Sequence, residues 1–141
     1  MGEITTYREL HAWQVGMDTM TLTYELTADF PSDERYGLVS QMRRASVSIP
    51  SNVAEGHGVK MPRWSLRHIS TAIGSSLELE TQLEASVRLG FVSRERTKAL
   101  ADGLDRVQKL LYGMRRKRLG QVGVSAAGAT VVLLAILGIF A

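Results

Sequence analysis

Leu38-Val39-Ser40-Gln41-Met42-Arg43-Arg44-Ala45-Ser46-Val47-Ser48-Ile49-Pro50-Ser51-Asn52-Val53-Ala54-Glu55-Gly56 is the stretch from which the fold is read. Leu38, Met42, Ala45, Ile49 and Val53 recur at threes and fours, which in an α-helix aligns them in one apolar stripe. Gln41, Arg44, Ser48, Asn52 and Glu55 recur in the same way and form a polar ridge beside it. The spacing predicts one amphipathic helix over about 33–55, ended by Gly56-His57-Gly58. Pro50 lies inside it, where it removes a backbone hydrogen bond and clashes with the carbonyl of Ser46, so a kink is expected. The alternative is two shorter helices meeting at Ser48-Ile49-Pro50. The stripe keeps phase across the proline, which favours the continuous helix.

The same periodicity continues on both sides. Upstream, Leu10, Trp13, Met17, Met20 and Tyr24 predict a helix over about 7–28 with those residues on its buried stripe. Phe30-Pro31-Ser32-Asp33 breaks it, and Ser32 is expected to cap the next helix with Glu34 in its first turn. Downstream, Pro62 suits a first helical turn, and Leu66, Ile69, Ile73, Ser76, Glu80, Leu83 and Val87 predict a helix over about 62–89. Gly90 fits a left-handed C-cap with Phe91 folded back, and Ser93 fits the N-cap of a last helix over about 93–118. That helix has Leu100, Leu104, Val107, Leu111 and Met114 as its stripe. No window alternates with period two. Four such helices joined by short turns predict an all-α, antiparallel up-down four-helix bundle over residues 1–119, followed by a hydrophobic, helical tail over 120–141.

Composition narrows the chemistry. The chain has 141 residues, 45% hydrophobic and 22% charged, which suits one globular domain with a short appendage. It has no cysteine, and His11, His57 and His68 lack metal-ligand spacing, so no metal site is expected. Met1-Gly2-Glu3-Ile4 lacks a basic stretch leading into an apolar run, so no signal peptide is expected. Gly56-His57-Gly58-Val59-Lys60 lacks the phosphate-loop spacing, and no cofactor is implied.

Polar residues interrupt the apolar pattern in two places. Ser76 and Glu80 fall on the third stripe with Glu78 nearby, and Arg44 on the second helix is the natural partner for either carboxylate. Gln41, Arg44, Asn52, Glu55, Glu78 and Glu80 are therefore expected to form a polar network that fixes helix register or a subunit contact. A binding or catalytic centre is the sharper alternative, though no activated nucleophile accompanies it.

Several motifs occur in a recognisable order. They are Tyr7-Arg8-Glu9-Leu10 with Trp13-Gln14, Tyr36-Gly37-Leu38, Gln41-Met42-Arg43-Arg44-Ala45, Ser48-Ile49-Pro50-Ser51-Asn52-Val53-Ala54-Glu55-Gly56, and Gly74-Ser75-Ser76-Leu77-Glu78-Leu79-Glu80-Thr81-Gln82-Leu83. Over residues 5–118 the chain resembles the 23S rRNA intervening-sequence family of bacterial four-helix-bundle proteins. The resemblance implies a bundle that assembles into ring-like homo-oligomers, commonly pentamers. It also implies a relation to Avd of diversity-generating retroelements, a basic barrel that associates with nucleic acid and a reverse transcriptase. The chain departs from the family pattern at Met61-Pro62-Arg63-Trp64 and in the tail after Leu119.

Three functional classes follow. Arg43, Arg44, Lys60, Arg63, Arg67, Lys109, Arg115, Arg116, Lys117 and Arg118 are candidate phosphate contacts, which a ring would multiply, for a non-enzymatic protein binding RNA or DNA. Basic residues on amphipathic helices are otherwise simply a solvated face. The second class is a membrane-anchored interaction scaffold. From Leu119 to Ala141 there is no charged residue, and as a helix Val122–Ala141 would span about 30 Å, the hydrocarbon thickness of a bilayer. The preceding Arg115-Arg116-Lys117-Arg118 predicts a cytoplasmic bundle anchored to the inner membrane. Docking in an oligomer channel, an interfacial hairpin and a non-native extension are the other readings of the tail. The third class is minor: Arg63 and His68 match the arginine-x4-histidine spacing of HEPN-type ribonucleases, but Trp64 stands where those enzymes carry a polar residue.

Overall fold

The computed structural model describes residues 2–123. A short 3-10 turn, Tyr7–Glu9, leads into α1 (His11–Thr27), and another, Ser32–Glu34, precedes α2 (Leu38–Gly58). The remaining helices are α3 (Pro62–Arg88) and α4 (Arg94–Gln121). Each helix packs on its neighbour in sequence, and α1 closes the square against α4. The backbones of neither diagonal pair approach one another, so side chains from all four helices share one core down the middle of an up-down bundle.

The α2 stripe forms much of that core: Met42, Ile49 and Val53 are fully buried in one cluster with Ile69, Leu79, Leu104, Val107 and Leu111. The helix runs unbroken through Pro50. The expected caps after α3 also form. Gly90 takes φ +76°, its N–H donates to Val87 at 3.0 Å, and the Phe91 N–H donates to Ser86 at 2.9 Å. The Phe91 ring then packs on Phe30 with centroids 5.8 Å apart. The Ser93 hydroxyl accepts from the Arg96 N–H at the start of α4.

Three expectations need correction. Ser32 does not cap α2. The helix starts five residues or so later, and the Glu34 carboxylate accepts from the Leu38 N–H at 2.9 Å. A Cβ at Gly37 would lie 2.6 Å from Glu34 Oε2, so a larger residue there would displace the capping carboxylate. The buried face of α1 is not Leu10, Trp13, Met17, Met20 and Tyr24, which are half-buried or exposed. It is Ala12, Val15, Gly16, Thr19, Thr23, Leu26 and Thr27. Three threonine hydroxyls donate to the carbonyl four residues back, Thr19 to Val15 at 2.7 Å, Thr23 to Thr19 at 2.8 Å and Thr27 to Thr23 at 2.8 Å. With its hydroxyl satisfied in this way, each threonine is buried without leaving a donor unpaired. Finally, Glu80 is exposed. Leu79 takes the inward position, because a helix of 3.6 residues per turn drifts from a strict three-four stripe over a long span.

The tail expected to anchor the chain in a membrane, Val122–Ala141, falls almost wholly outside the described residues. Among those residues no helix is long and apolar enough to cross a membrane.

Candidate nucleic-acid interface

The up-down connection brings the entry to α1, the end of α2, the start of α3 and the end of α4 to one pole of the bundle. A recess lined by Leu10, His57, Met114, Lys117, Arg118 and Gln121 marks where three of these elements meet. Lys60, Arg63, Arg67, Arg115, Arg116 and Lys117 are all exposed at this pole, and none has an ion-pair partner among the described residues. Arg118 is half-buried and donates to Gln121 Oε1 at 2.8 Å.

Cations at the opposite pole are largely spent. Arg96 pairs with Asp29 at 2.9 Å, while Glu84 receives Arg94 at 2.6 Å and Arg88 at 2.9 Å. The hydrogen bonds from Arg94 and then Arg88 hold the Glu84 carboxyl down at about 2, and the same pairing raises the Arg94 guanidinium. The long axis is thus electrostatically asymmetric.

Three other sequence candidates lie elsewhere or are engaged. Arg43 donates through Nε to Thr27 Oγ1 at 3.0 Å and sits 4.5 Å over the Tyr24 ring, so it ties α2 to α1. Lys109 pairs with Asp105 at 2.6 Å. Arg44 is exposed midway along α2, in a groove with Gln41, Ser48, Ser75 and Glu78.

The expected polar network does not form as one unit: among the described residues the Gln41 and Arg44 side chains make no hydrogen bond or ion pair. No ion pair joins Arg44 to Glu78 or Glu80. Glu78 accepts from Gln82 at 3.1 Å, and Glu80 accepts from Gln108 of α4 at 3.2 Å. The α2 ridge instead bonds to α3 through Ser75 and His68. Ser48 and Ser75 hydroxyls are 2.8 Å apart, and Asn52 Nδ2 donates to the Ser48 carbonyl at 2.9 Å. His68 Nδ1 lies 3.1 Å from both Asn52 Oδ1 and Glu55 Oε2. Both neighbours are acceptors, so Nδ1 carries the proton. The sequence singles out His68 only by its spacing from Arg63, and spacing alone cannot say which helix it faces.

Beside this chain of bonds the helices come close. A Cβ on Gly56 would stand 3.2 Å from His68 Cβ and 3.4 Å from the Ser65 carbonyl oxygen. The Asn52-Glu55-Gly56 pattern is therefore a clasp: two side chains hold His68 and the glycine admits it. Arg63 is exposed outside the clasp.

The fold and the clasp define a small antiparallel four-helix-bundle protein. Residues 8–113 match the family model described as 23S rRNA-intervening sequence protein, and the chain belongs to that family. A solved structure with the same fold is a protein of unknown function from the S23 ribosomal protein family of Bacteroides thetaiotaomicron. It superimposes with a TM-score of 0.67 at 17% identity, over 74% of this chain and 97% of that one. No curated protein matches the chain.

Proposed function

We propose that this protein is a non-enzymatic helical bundle that binds nucleic acid through phosphate contacts at its basic pole, and that it works as a homo-oligomer. The observation that carries the reading is the grouping of Lys60, Arg63, Arg67, Arg115, Arg116 and Lys117, exposed and without ion-pair partners, at one end. Cations free of local carboxylates are the ones that release counterions on meeting a phosphate backbone. Self-association is supported by the half-buried, large apolar side of α1 at Trp13, Met17 and Met20. Each added subunit would bring another basic pole, raising affinity without new contacts. His68 is read as the clasp residue, since its Nδ1 is committed to Asn52 and Glu55. Filter-binding of the full chain to RNA and DNA across a salt series tests the reading; affinity that does not change with salt would remove phosphate binding from the account.

The second reading is a membrane-anchored scaffold, favoured by the uncharged run after Arg118. Fractionating cells with the full chain and with a chain truncated after Leu119 separates it from the first. A full chain found wholly in the soluble fraction would end it.

A further inference from the structure

The turn into α3 joins apolar and cationic side chains on one exposed ridge. Arg63, Trp64 and Arg67 are exposed on the first turns of α3, Trp64 and Arg67 three apart and Arg63 and Arg67 four apart, with Lys60 exposed just before the helix, while Ser65 and Ile69 face inward. Trp64 is 50% exposed and Met61 60%. The Arg67 guanidinium lies 5.8 Å from the indole centroid. Among the other exposed aromatic residues Tyr24 also has an arginine over its ring, but that arginine, Arg43, is already bonded to Thr27. Tyr36 follows Asp33 and Glu34 at the pole whose cations are largely paired.

A duplex gives such a ring nothing to bind. Its base faces are buried in their own stack, and its phosphates need only the cations. A single strand offers open base faces between phosphates, which suit an indole flanked by arginines. We infer that Trp64 is a stacking platform for an unpaired base, and that the basic pole takes single-stranded rather than duplex nucleic acid. This inference rests on the nucleic-acid reading above. In it Lys60, Arg63 and Arg67 contact the phosphates on either side of the stacked base.

The test uses the full chain, short oligouridylate and oligoadenylate, a matched RNA duplex, and phosphatidylglycerol vesicles. Wild type should bind the single strands more tightly than the duplex, with quenching of tryptophan emission. Trp64→Leu should lose about 5- to 160-fold in single-strand affinity, the range expected for one base–aromatic stack, and leave duplex affinity unchanged. Trp64→Phe should recover most of the loss. Circular dichroism verifies that both variants keep the helical fold. Equal affinity for single strand and duplex, unaffected by Trp64→Leu, overturns the inference while sparing nucleic-acid binding. Absence of binding to every oligonucleotide overturns both. A Trp64-dependent blue shift with vesicles, without any response to oligonucleotides, assigns the turn to a bilayer and likewise overturns both.

Discussion

Gly56 and Glu84 show how single residues set the two ends of the molecule. At Gly56 an added side chain meets His68 Cβ at 3.2 Å and the Ser65 backbone at 3.4 Å, so relief requires α3 to move. Gly56→Val should cost about 1–3 kcal/mol in urea unfolding, the usual range for overpacking. At the other pole, Arg94 and Arg88 hold the Glu84 carboxyl at about 2 against an ordinary 4.5. A depressed carboxyl contributes stability above its unfolded value, and the contribution fades as pH falls from about 4.5 toward 2. Thermal melts of Glu84→Gln across that window should therefore vary less with pH than those of wild type. The caps at Gly90 and Ser93 were legible in the sequence because their chemistry is local. The proton on His68 Nδ1 was not, since it depends on which residues of another helix face the ring.

Among the helices, α2 was read most fully and α1 least. The α2 stripe uses large apolar residues on one side and polar ones on the other, so periodicity identifies its buried face directly. In α1 the largest residues, Trp13, Met17, Met20 and Tyr24, are only half-buried or exposed, and the core side is built, apart from Val15 and Leu26, from alanine, glycine and threonine. Hydropathy ranks those residues low, yet the Thr19, Thr23 and Thr27 bonds within the helix remove the reason to expose them. Close approach is what the small side chains supply: a Cβ on Gly16 would touch Pro50 at 3.4 Å, and one on Gly103 would lie 3.0 Å from Thr19 Oγ1. Glu80 was misplaced for a related reason, a stripe extrapolated too far along a long helix. The α2–α3 clasp leads to a prediction at this scale. Asn52→Ala removes the bonds to Ser48 and His68 from a half-buried seam and should cost about 1–3 kcal/mol in urea unfolding. Arg44→Ala, which breaks no recorded bond, should fall within about 0.5 kcal/mol of wild type.

For the whole molecule, the antiparallel order turns scattered basic residues into a pole. Lys60, Arg63 and Arg67 are about 50 positions from Arg115–Lys117 in the chain, and an up-down bundle brings the two groups to the same end. That much followed from the predicted helices. Which cations are free did not, because Arg43, Lys109, Arg94 and Arg96 look equivalent to the others until their partners are seen. The division between a paired and an unpaired end is the basis of the functional account. The most direct measurement is the salt dependence of RNA affinity for three full-length chains: wild type, Lys60→Gln/Arg63→Gln/Arg67→Gln at the basic pole, and Arg88→Gln/Arg94→Gln/Arg96→Gln at the paired pole. Wild type should weaken steeply with salt, and the basic-pole variant should lose about 0.7 in slope for each phosphate contact removed from a single strand, while the paired-pole variant keeps the wild-type slope. A flat salt response in wild type, or equal losses from both variants, would contradict binding at the basic pole.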